Sequence, residues 1–270
     1  MERRYREIYT RNIGILNEAE QNKLRQSTIA IAGMGGIGGL LAERLIRLGV
    51  GQLKITDPGT FEESNFNRQF GSSTLSLGRN KAEVVYEQLR DINQEAHIDY
   101  SKDGIRTQNN ARLFVSGCDL VIDEMDYNLF KQSIYVQRAA RKEGIYYLFA
   151  SALGFGALVV IFDPQGFTLE EFDNLSPNVD LNNVEELHVP LERIMPVIPS
   201  YAPATTYDIL KKVYAGEKLA PTISIGVGLA SILAANEAIN IILKKREIAA
   251  APKYTYIDLL DLKLIVGTVK

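Results

Sequence analysis

Apolar runs alternate with segments of helical periodicity along the first 160 residues. The run 28–32 is apolar and ends at Gly33, which is typical of a strand buried on both faces of a parallel sheet. In 37–48 the apolar residues recur three or four positions apart until Gly49, which predicts an amphipathic helix. With the next apolar run, 52–57, these segments form one strand–turn–helix–strand unit.

The alternation continues beyond this unit. Further helices are predicted at 81–93, 108–115 and 129–142, and further strands at 97–101, 119–123, 145–150 and 157–162. This order predicts a Rossmann-like α/β fold, a doubly wound and mostly parallel sheet. A helix at 223–245 and strands at 254–260 and 262–269 are expected to add a C-terminal antiparallel extension.

The composition limits the class of protein. The 270 residues are 46% hydrophobic and 23% charged with a net charge of −3, so we expect neither a nucleic-acid partner nor a membrane partner. The N-terminus is charged and lacks the apolar core of a signal peptide. The apolar segment 223–243 carries Glu237 and is interpreted as a buried core helix, so we expect a cytoplasmic protein.

A glycine turn follows the first predicted strand. Gly33, Gly35 and Gly38 have G-x-G-x-x-G spacing, with Gly36 between them, and they open the first helix. Glycines let a backbone approach phosphates, and a helix N-terminus favours negative charge. Asp57 ends the second strand, where a carboxylate can accept hydrogen bonds from a ribose or, alternatively, cap the turn at Pro58.

A second polar cluster follows about thirty residues later. It contains Asn65, Arg68 and Gln69, and Lys81 comes shortly after it. A hydride-transfer enzyme does not need these cations, whereas a nucleotidyl-transfer enzyme needs positive charge as pyrophosphate leaves. The cluster therefore favours nucleotidyl transfer.

Two aspartates flank Glu124 and Met125 at the end of a predicted strand. Asp123 and Asp126 would lie at the carboxyl edge of the sheet, where α/β proteins bind ligands. Mg²⁺ is commonly held by one or two carboxylates together with phosphate oxygens. We take Asp126 as the metal-linked residue; the alternative is a cap of the next helix.

These motifs resemble the ThiF/MoeB/HesA family, bacterial relatives of the ubiquitin-activating enzymes. The resemblance rests on the opening residues 9–12, the glycine turn, and the stretches TDPGTFEESNFNRQF, GRNKAEV, VIDEMD and ISIGVGLASILAANEAI. In that family the enzyme uses ATP to adenylate a carboxylate, often the C-terminal glycine of a ubiquitin-like sulfur carrier. The resemblance therefore implies an adenylyltransferase that uses ATP and Mg²⁺.

The resemblance also assigns roles to residues. Gly35 and Asp57 would hold the adenosine part, and Asp126 would bind Mg²⁺. Arg11 matches an arginine that reaches into the neighbouring subunit's site, which implies a homodimer with Arg11 acting in trans. The residues expected to contact phosphates are Asn65, Arg68 and Lys81. The expected catalytic residues are Arg11, Arg68, Lys81 and Asp126, and the expected nucleotide-binding residues are Gly33, Gly35, Gly36, Gly38, Asp57, Asn65 and Gln69.

The chain departs from the family pattern in three ways. With one cysteine, Cys118, it cannot form the two C-x-x-C zinc pairs of sulfur-carrier activating members, so no zinc is expected. No cysteine lies in 164–221, and we expect Cys118 to be a buried, inert thiol. Tyr127 follows Asp126 where many relatives have asparagine. These departures leave adenylation as the expected chemistry and do not support a sulfur-transfer or thioester step on this chain; whether another protein carries out such a step stays open.

Several functions stay open. The carboxylate could belong to a carrier protein ending in Gly-Gly, or to a small molecule, a peptide or a tRNA base. An NAD-dependent oxidoreductase would explain the glycines and Asp57 but not Arg68, Lys81 or Asp126. A non-catalytic adaptor that has kept the fold is the remaining alternative.

The chain divides into four parts in this interpretation. Residues 1–26 form an N-terminal helical arm, and 27–163 form the ATP-binding Rossmann-like domain. Seven of the nine prolines lie in 164–221, which predicts an irregular crossover loop with one helix near 206–213. We expect this loop to hold the acyl substrate, or else to pack on the core. Residues 222–270 complete the domain with a helix and two strands.

Overall fold

A mixed eight-stranded sheet forms the centre of the protein in the computed structural model, which describes residues 3–181, 187–203 and 206–269. The strands are Thr28–Ala32 (β1), Gln52–Thr56 (β2), His97–Ser101 (β3), Leu120–Asp123 (β4), Tyr146–Leu153 (β5), Gly156–Phe162 (β6), Lys253–Asp258 (β7) and Lys263–Thr268 (β8). Their order is β3-β2-β1-β4-β5-β6-β7-β8. The strands from β3 to β5 are parallel, and β6, β7 and β8 add antiparallel neighbours. The predicted fold class is confirmed.

Helices cover both faces of the sheet. The helices are Arg3–Ile8 (α1), Glu18–Gln26 (α2), Gly36–Leu48 (α3), Lys81–Ile92 (α4), Gln108–Val115 (α5), Phe130–Glu143 (α6), Leu169–Phe172 (α7), Leu191–Ile194 (α8), Thr206–Tyr214 (α9) and Ser224–Leu243 (α10). Buried residues of α3, α4 and α10 form one core with the sheet. Buried residues of α5, α6 and α7 form a second core on the opposite face.

The apolar run of β1 is explained by burial on both faces. Ile29 and Ile31 belong to the first core, whereas Ala30 and Ala32 belong to the second. Successive side chains of a strand point to opposite faces, so a strand with helices on both sides must be apolar at every position.

The neighbouring strands β1 and β4 determine where the sheet can form a ligand-binding crevice. The helix that follows β1 is α3, which packs in the first core, whereas the helix that follows β4 is α6, which packs in the second. The chain thus leaves the two strands toward opposite faces, which opens a crevice between their carboxyl ends. The predicted nucleotide motifs follow the strands at this edge.

Helix α10 is the predicted core helix. It packs on β5, β6 and α3, and twelve of its residues are buried. By length and composition it is the one helix in the described part of the chain that could cross a membrane, yet 67% of its most apolar stretch is buried inside the protein.

The proline-rich segment contains more helix than predicted. Helix α9 lies where a helix was expected, but α7 and α8 were not predicted. Thr168 and Glu171 form a reciprocal capping box that explains how the four-residue α7 is stabilised. Residues 182–186, 204 and 205 of this segment lie outside the described residues.

The C-terminal strand pair differs from the prediction in its turn. The predicted strands reached residue 260 and began again at 262, whereas β7 ends at Asp258 and β8 begins at Lys263. The carboxylate of Asp258 accepts hydrogen bonds from the backbone N–H groups of Leu260 and Asp261, both at 2.9 Å. These bonds close the turn earlier than the apolar pattern suggests.

Candidate active site

The glycine turn between β1 and α3 is pressed against the end of β4. Gly33 has a φ of +94°, and a Cβ atom there would lie 2.3 Å from the carbonyl oxygen of Glu124. A Cβ atom at Gly38 would lie 1.9 Å from the carbonyl oxygen of Gly33. Only glycine fits at these two positions, and the glycine spacing is therefore a steric requirement of the turn.

The first turn of α3 is open toward the crevice. Gly35 is the N-cap residue of α3, and no side chain caps the helix. A Cβ atom at Gly35 would meet only the Nε2 atom of Gln69, at 3.9 Å. Uncapped N–H groups and the helix dipole favour an anion here, and the open space allows a phosphate to approach the backbone.

Asp57 ties the glycine turn to the end of β2. Its Oδ2 atom accepts a hydrogen bond from the N–H of Met34 at 2.7 Å, and its Oδ1 atom accepts one from Gly59 at 2.7 Å. The carboxylate is thus the turn cap that was the alternative interpretation. Each carboxylate oxygen retains a second lone pair that can accept a hydrogen bond from a ribose hydroxyl. The contact of Asp57 with ribose therefore stays possible, and it stays a prediction.

Arg68 lies beside the first turn of α3. Its Cγ atom is 3.6 Å from the position of a Cβ atom at Gly36, and its Nη1 atom donates to the Ser64 carbonyl oxygen at 3.0 Å. Burial lowers the pKa of the Arg68 guanidinium, and the negative charge of Asp126 opposes that shift. The structure thus brings together a partly desolvated cation, the N-terminal end of α3 and the predicted metal ligand.

Asn65 and Gln69 lie on either side of this arginine. Asn65 is buried, and its Oδ1 atom accepts from the N–H of Glu62 at 3.1 Å while its Nδ2 atom donates to Ser64 Oγ at 3.2 Å. Asn65 therefore holds the 3₁₀ turn Glu63–Asn65 that presents Arg68. The Oε1 atom of Gln69 is buried and has no hydrogen-bond partner among the residues that the structure describes.

Lys81 and Asp126 are available to a ligand. Lys81 begins α4, with its Cε atom 3.6 Å from the position of a Cβ atom at Gly59. Among the described residues, the Lys81 ammonium and the exposed Asp126 carboxylate have no hydrogen-bond partner. The described residues contain no group of three or more His, Cys, Asp or Glu residues that could hold a metal ion. A Mg²⁺ ion at Asp126 would therefore need oxygens from a bound phosphate, as is usual for this ion.

Glu124 was treated in the sequence as a spacer, but its side chain lies behind the glycine turn. Its Oε1 atom accepts a hydrogen bond from the N–H of Ala150 at 3.2 Å. Burial and the neighbouring Asp123 raise the pKa of Glu124 well above its ordinary value. Asp123 is itself buried and accepts from the Tyr147 hydroxyl at 2.6 Å, which gives it a structural role. The only sequence signal for Glu124 was its place at the carboxyl edge.

Arg11 lies far from these residues of its own chain. It belongs to the 3₁₀ turn Thr10–Asn12, which is held at the C-terminal end of α3 by a 2.7 Å hydrogen bond from the Tyr9 hydroxyl to the Ile46 carbonyl oxygen. The glycine turn is at the other end of this 13-residue helix, which is about 20 Å long. Arg11 is exposed and has no side-chain partner among the described residues.

Cys118 is buried, with 7% of its surface exposed. Burial raises the pKa of its thiol to about 11. A thiol with so little thiolate at neutral pH is a poor nucleophile.

The fold and the crevice are those of a class of α/β proteins that bind nucleotides at the topological switch point of the sheet. Within this class, Arg68, Lys81 and Asp126 are the residues that the sequence predicted for an enzyme of nucleotidyl transfer. The chain belongs to the ThiF family, whose profile matches residues 9–270.

Curated relatives match part of the chain. The tRNA threonylcarbamoyladenosine dehydratase of Haemophilus influenzae is 34% identical over 112 residues, which are 42% of this chain and 43% of that protein. The sulfur carrier protein ThiS adenylyltransferase of Bacillus subtilis is 31% identical over 136 residues, which are 50% of this chain and 40% of that protein. The matched part spans less than half the length of each of these relatives.

The whole chain has a solved structural neighbour. The crystal structure of PaaA has a TM-score of 0.76 and 17% sequence identity, and the match covers 100% of this chain and 84% of PaaA. At this identity the likeness concerns the fold, and it includes the C-terminal antiparallel strands.

Proposed function

We propose that this protein is an ATP-dependent adenylyltransferase that activates a carboxylate. The observation that supports this most strongly is the partly desolvated Arg68 beside the uncapped first turn of α3 and near Asp126. This arrangement suits a triphosphate better than a dinucleotide, which needs no cation at these places. Membership of the ThiF family agrees with the proposal.

The proposed reaction is an attack by the substrate carboxylate on the α-phosphorus of ATP. The new bond joins a carboxylate oxygen to phosphorus, the bond from phosphorus to the pyrophosphate oxygen breaks, and an acyl-adenylate and pyrophosphate result. Arg68 and Lys81 would neutralise the developing charge, and the N–H groups of α3 would hold the phosphates. A Mg²⁺ ion held by Asp126 would supply further positive charge to the phosphate oxygens.

The substrate that we propose first is the C-terminal glycine of a ubiquitin-like carrier protein. The relative from Bacillus subtilis supports it, since that protein is an adenylyltransferase of a sulfur carrier. The alternative is a carboxylate on a small molecule, a peptide or a tRNA base. The relative from Haemophilus influenzae favours the tRNA base, since that protein is a tRNA-modifying dehydratase.

We also propose that two copies of the chain form a dimer in which Arg11 acts in trans. The position of Arg11 supports this, because the length of α3 separates it from its own glycine turn. The Arg11 guanidinium is exposed and has no partner within residues 3–181, 187–203 and 206–269, so it could reach a phosphate bound to a second copy.

ATP–pyrophosphate exchange tests the proposed function. The purified protein is incubated with labelled pyrophosphate, Mg·ATP and one candidate substrate from each class: a carrier ending in Gly-Gly, a small carboxylic acid, a short peptide and bulk tRNA. We expect label to enter ATP with one class only, and no label to enter when Asp126→Ala replaces the wild type. Exchange that does not depend on any of these carboxylates, or binding of NAD in place of ATP, would contradict the proposal.

A further inference from the structure

The segment 206–222, which comprises α9 and the residues that lead into α10, is tied to two of the nucleotide motifs. The Tyr127 hydroxyl donates a hydrogen bond to the Val213 carbonyl oxygen at 2.6 Å. The Asn67 Nδ2 atom donates to the Thr222 carbonyl oxygen at 3.1 Å. These bonds join residues 86 and 155 positions apart in the chain. They place the segment beside the crevice at which β4 and the 3₁₀ turn end.

Both donors are direct chain neighbours of site residues. Tyr127 follows Asp126, and Asn67 precedes Arg68. Neither donor had a role in the site predicted from the sequence. At position 127 the tyrosine ring supplies the length with which its hydroxyl reaches α9.

The Asn67 side chain makes a second bond. Its Oδ1 atom accepts a hydrogen bond from the Nη1 atom of Arg68 at 2.8 Å. The same Nη1 atom also donates to the Ser64 carbonyl oxygen, at 3.0 Å. One planar amide therefore connects Arg68 to the backbone of Thr222. Because the two ends of an amide move together, a displacement of Thr222 changes the acceptor that orients Arg68.

We propose that Asn67 and Tyr127 are positioning residues that hold the 206–222 segment at the nucleotide crevice, and that Asn67 couples the position of this segment to Arg68. The proposal rests on the proposed function and adds a link to it. A substrate that contacts the segment would thereby change the orientation of Arg68, the cation that is proposed to contact the phosphates. Nucleotide binding and order in the segment are therefore linked, and each favours the other.

Substitutions can separate the hydrogen bonds that Asn67 and Tyr127 form with Thr222, Arg68 and Val213. Asn67→Asp keeps an oxygen acceptor for Arg68 and removes the donor to Thr222, whereas Asn67→Ala removes both. Tyr127→Phe removes only the hydroxyl donor to Val213. Asn67 is exposed and Tyr127 is 38% exposed, so these changes leave the core intact. Asn109→Asp, an exposed change of the same kind on α5, is the matched control for the added charge.

The probe is a non-hydrolysable ATP analogue with Mg²⁺, followed by calorimetry and by hydrogen–deuterium exchange of the backbone amides in 206–222. We expect the analogue to slow deuterium uptake of this segment in the wild type and in Asn109→Asp. That protection is lost in Asn67→Asp and reduced in Tyr127→Phe. We expect Asn67→Ala to weaken analogue binding by about tenfold and to have no further effect in an Arg68→Ala background. Asn67→Asp should recover only part of this loss, because it keeps the acceptor for Arg68 but leaves the segment uncoupled.

Two results would overturn the proposal. The first is equal weakening by Asn67→Ala in the wild-type and Arg68→Ala backgrounds, which would mean that Asn67 does not act through Arg68. The second is equal protection of the segment in all variants. Failure of the proposed function differs from both, because the wild type would then not bind the analogue, or Arg68→Ala would bind it as tightly as the wild type.

Discussion

Replacement of Arg68 by alanine removes the cation beside the first turn of α3, where we propose that the phosphates of ATP bind. Burial has already lowered the pKa of this guanidinium, so much of the cost of desolvating it is met before a ligand arrives. A unit charge about 4 Å from a phosphate oxygen contributes about 4 kcal/mol at an effective dielectric constant of about 20. Loss of one such preorganised group typically lowers a rate by about 10²–10³-fold. We therefore expect Arg68→Ala to slow ATP–pyrophosphate exchange by about 10²–10³-fold.

The same substitution has little reason to unfold the protein. The Arg68 Nη1 atom donates to the Ser64 carbonyl oxygen and to Asn67 Oδ1, and Arg68 forms no ion pair in the described part of the chain. Arg79→Ala is the matched control, because Arg79 is not one of the candidate site residues and pairs with Glu87 at 2.6 Å. Exchange rates are compared with thermal midpoints for both variants. A less than threefold loss of exchange in Arg68→Ala, or an equal loss in Arg79→Ala, would refute the assignment of Arg68.

Three further predictions concern the glycine turn and the buried groups. Gly35→Ala should keep the thermal midpoint but lose at least about tenfold in Mg·ATP affinity by calorimetry, since its methyl group enters the open space where we propose that phosphate binds. Gly38→Ala should instead lose about 1–3 kcal/mol of stability, because its methyl group clashes with the Gly33 carbonyl oxygen. Equal effects of the two substitutions on affinity and stability would contradict this difference. Burial raises the pKa of Asp173 to about 8, so the folded protein holds a proton that the unfolded chain releases above about pH 4. In urea titrations the free energy of unfolding, relative to that of Asp173→Asn, should therefore fall by about 1.4 kcal/mol per pH unit between about pH 5 and 8. A difference in unfolding free energy that does not change with pH would exclude a protonated Asp173. Cys118 should react with a thiol reagent at pH 8 at least about 100-fold more slowly than a free cysteine, given a pKa of about 11, and rapid labelling of the native protein would contradict its burial.

Much of the fold was predictable from local patterns. The burial of β1 on both faces explains the continuous apolar run in the sequence. The lack of room for a side chain at Gly33 and Gly38 explains the glycine spacing. The alternation of strands and helices then gave the doubly wound order, because parallel neighbours need a crossover helix. These features are recorded in short stretches of sequence, so one chain was enough to predict them.

Contacts between distant residues were not predictable in this way. Nothing near Tyr127 or Asn67 in the sequence indicates that their hydrogen-bond acceptors lie at Val213 and Thr222. The double use of Asp57 is hidden for the same reason, since one of its two donors is 23 positions away. Short capped helices such as α7 escape periodicity because one turn of helix shows no repeat.

The fate of the carboxylate oxygen tests the central claim most directly. A substrate that supports exchange is labelled with ¹⁸O at both carboxylate oxygens, incubated with Mg·ATP, and the activated acyl group is trapped with hydroxylamine. Attack of the carboxylate on the α-phosphorus predicts AMP that carries one ¹⁸O atom per turnover, because the bridging oxygen stays with phosphorus. Unlabelled AMP, or ADP and phosphate as the products, would contradict adenylation of a carboxylate by this protein.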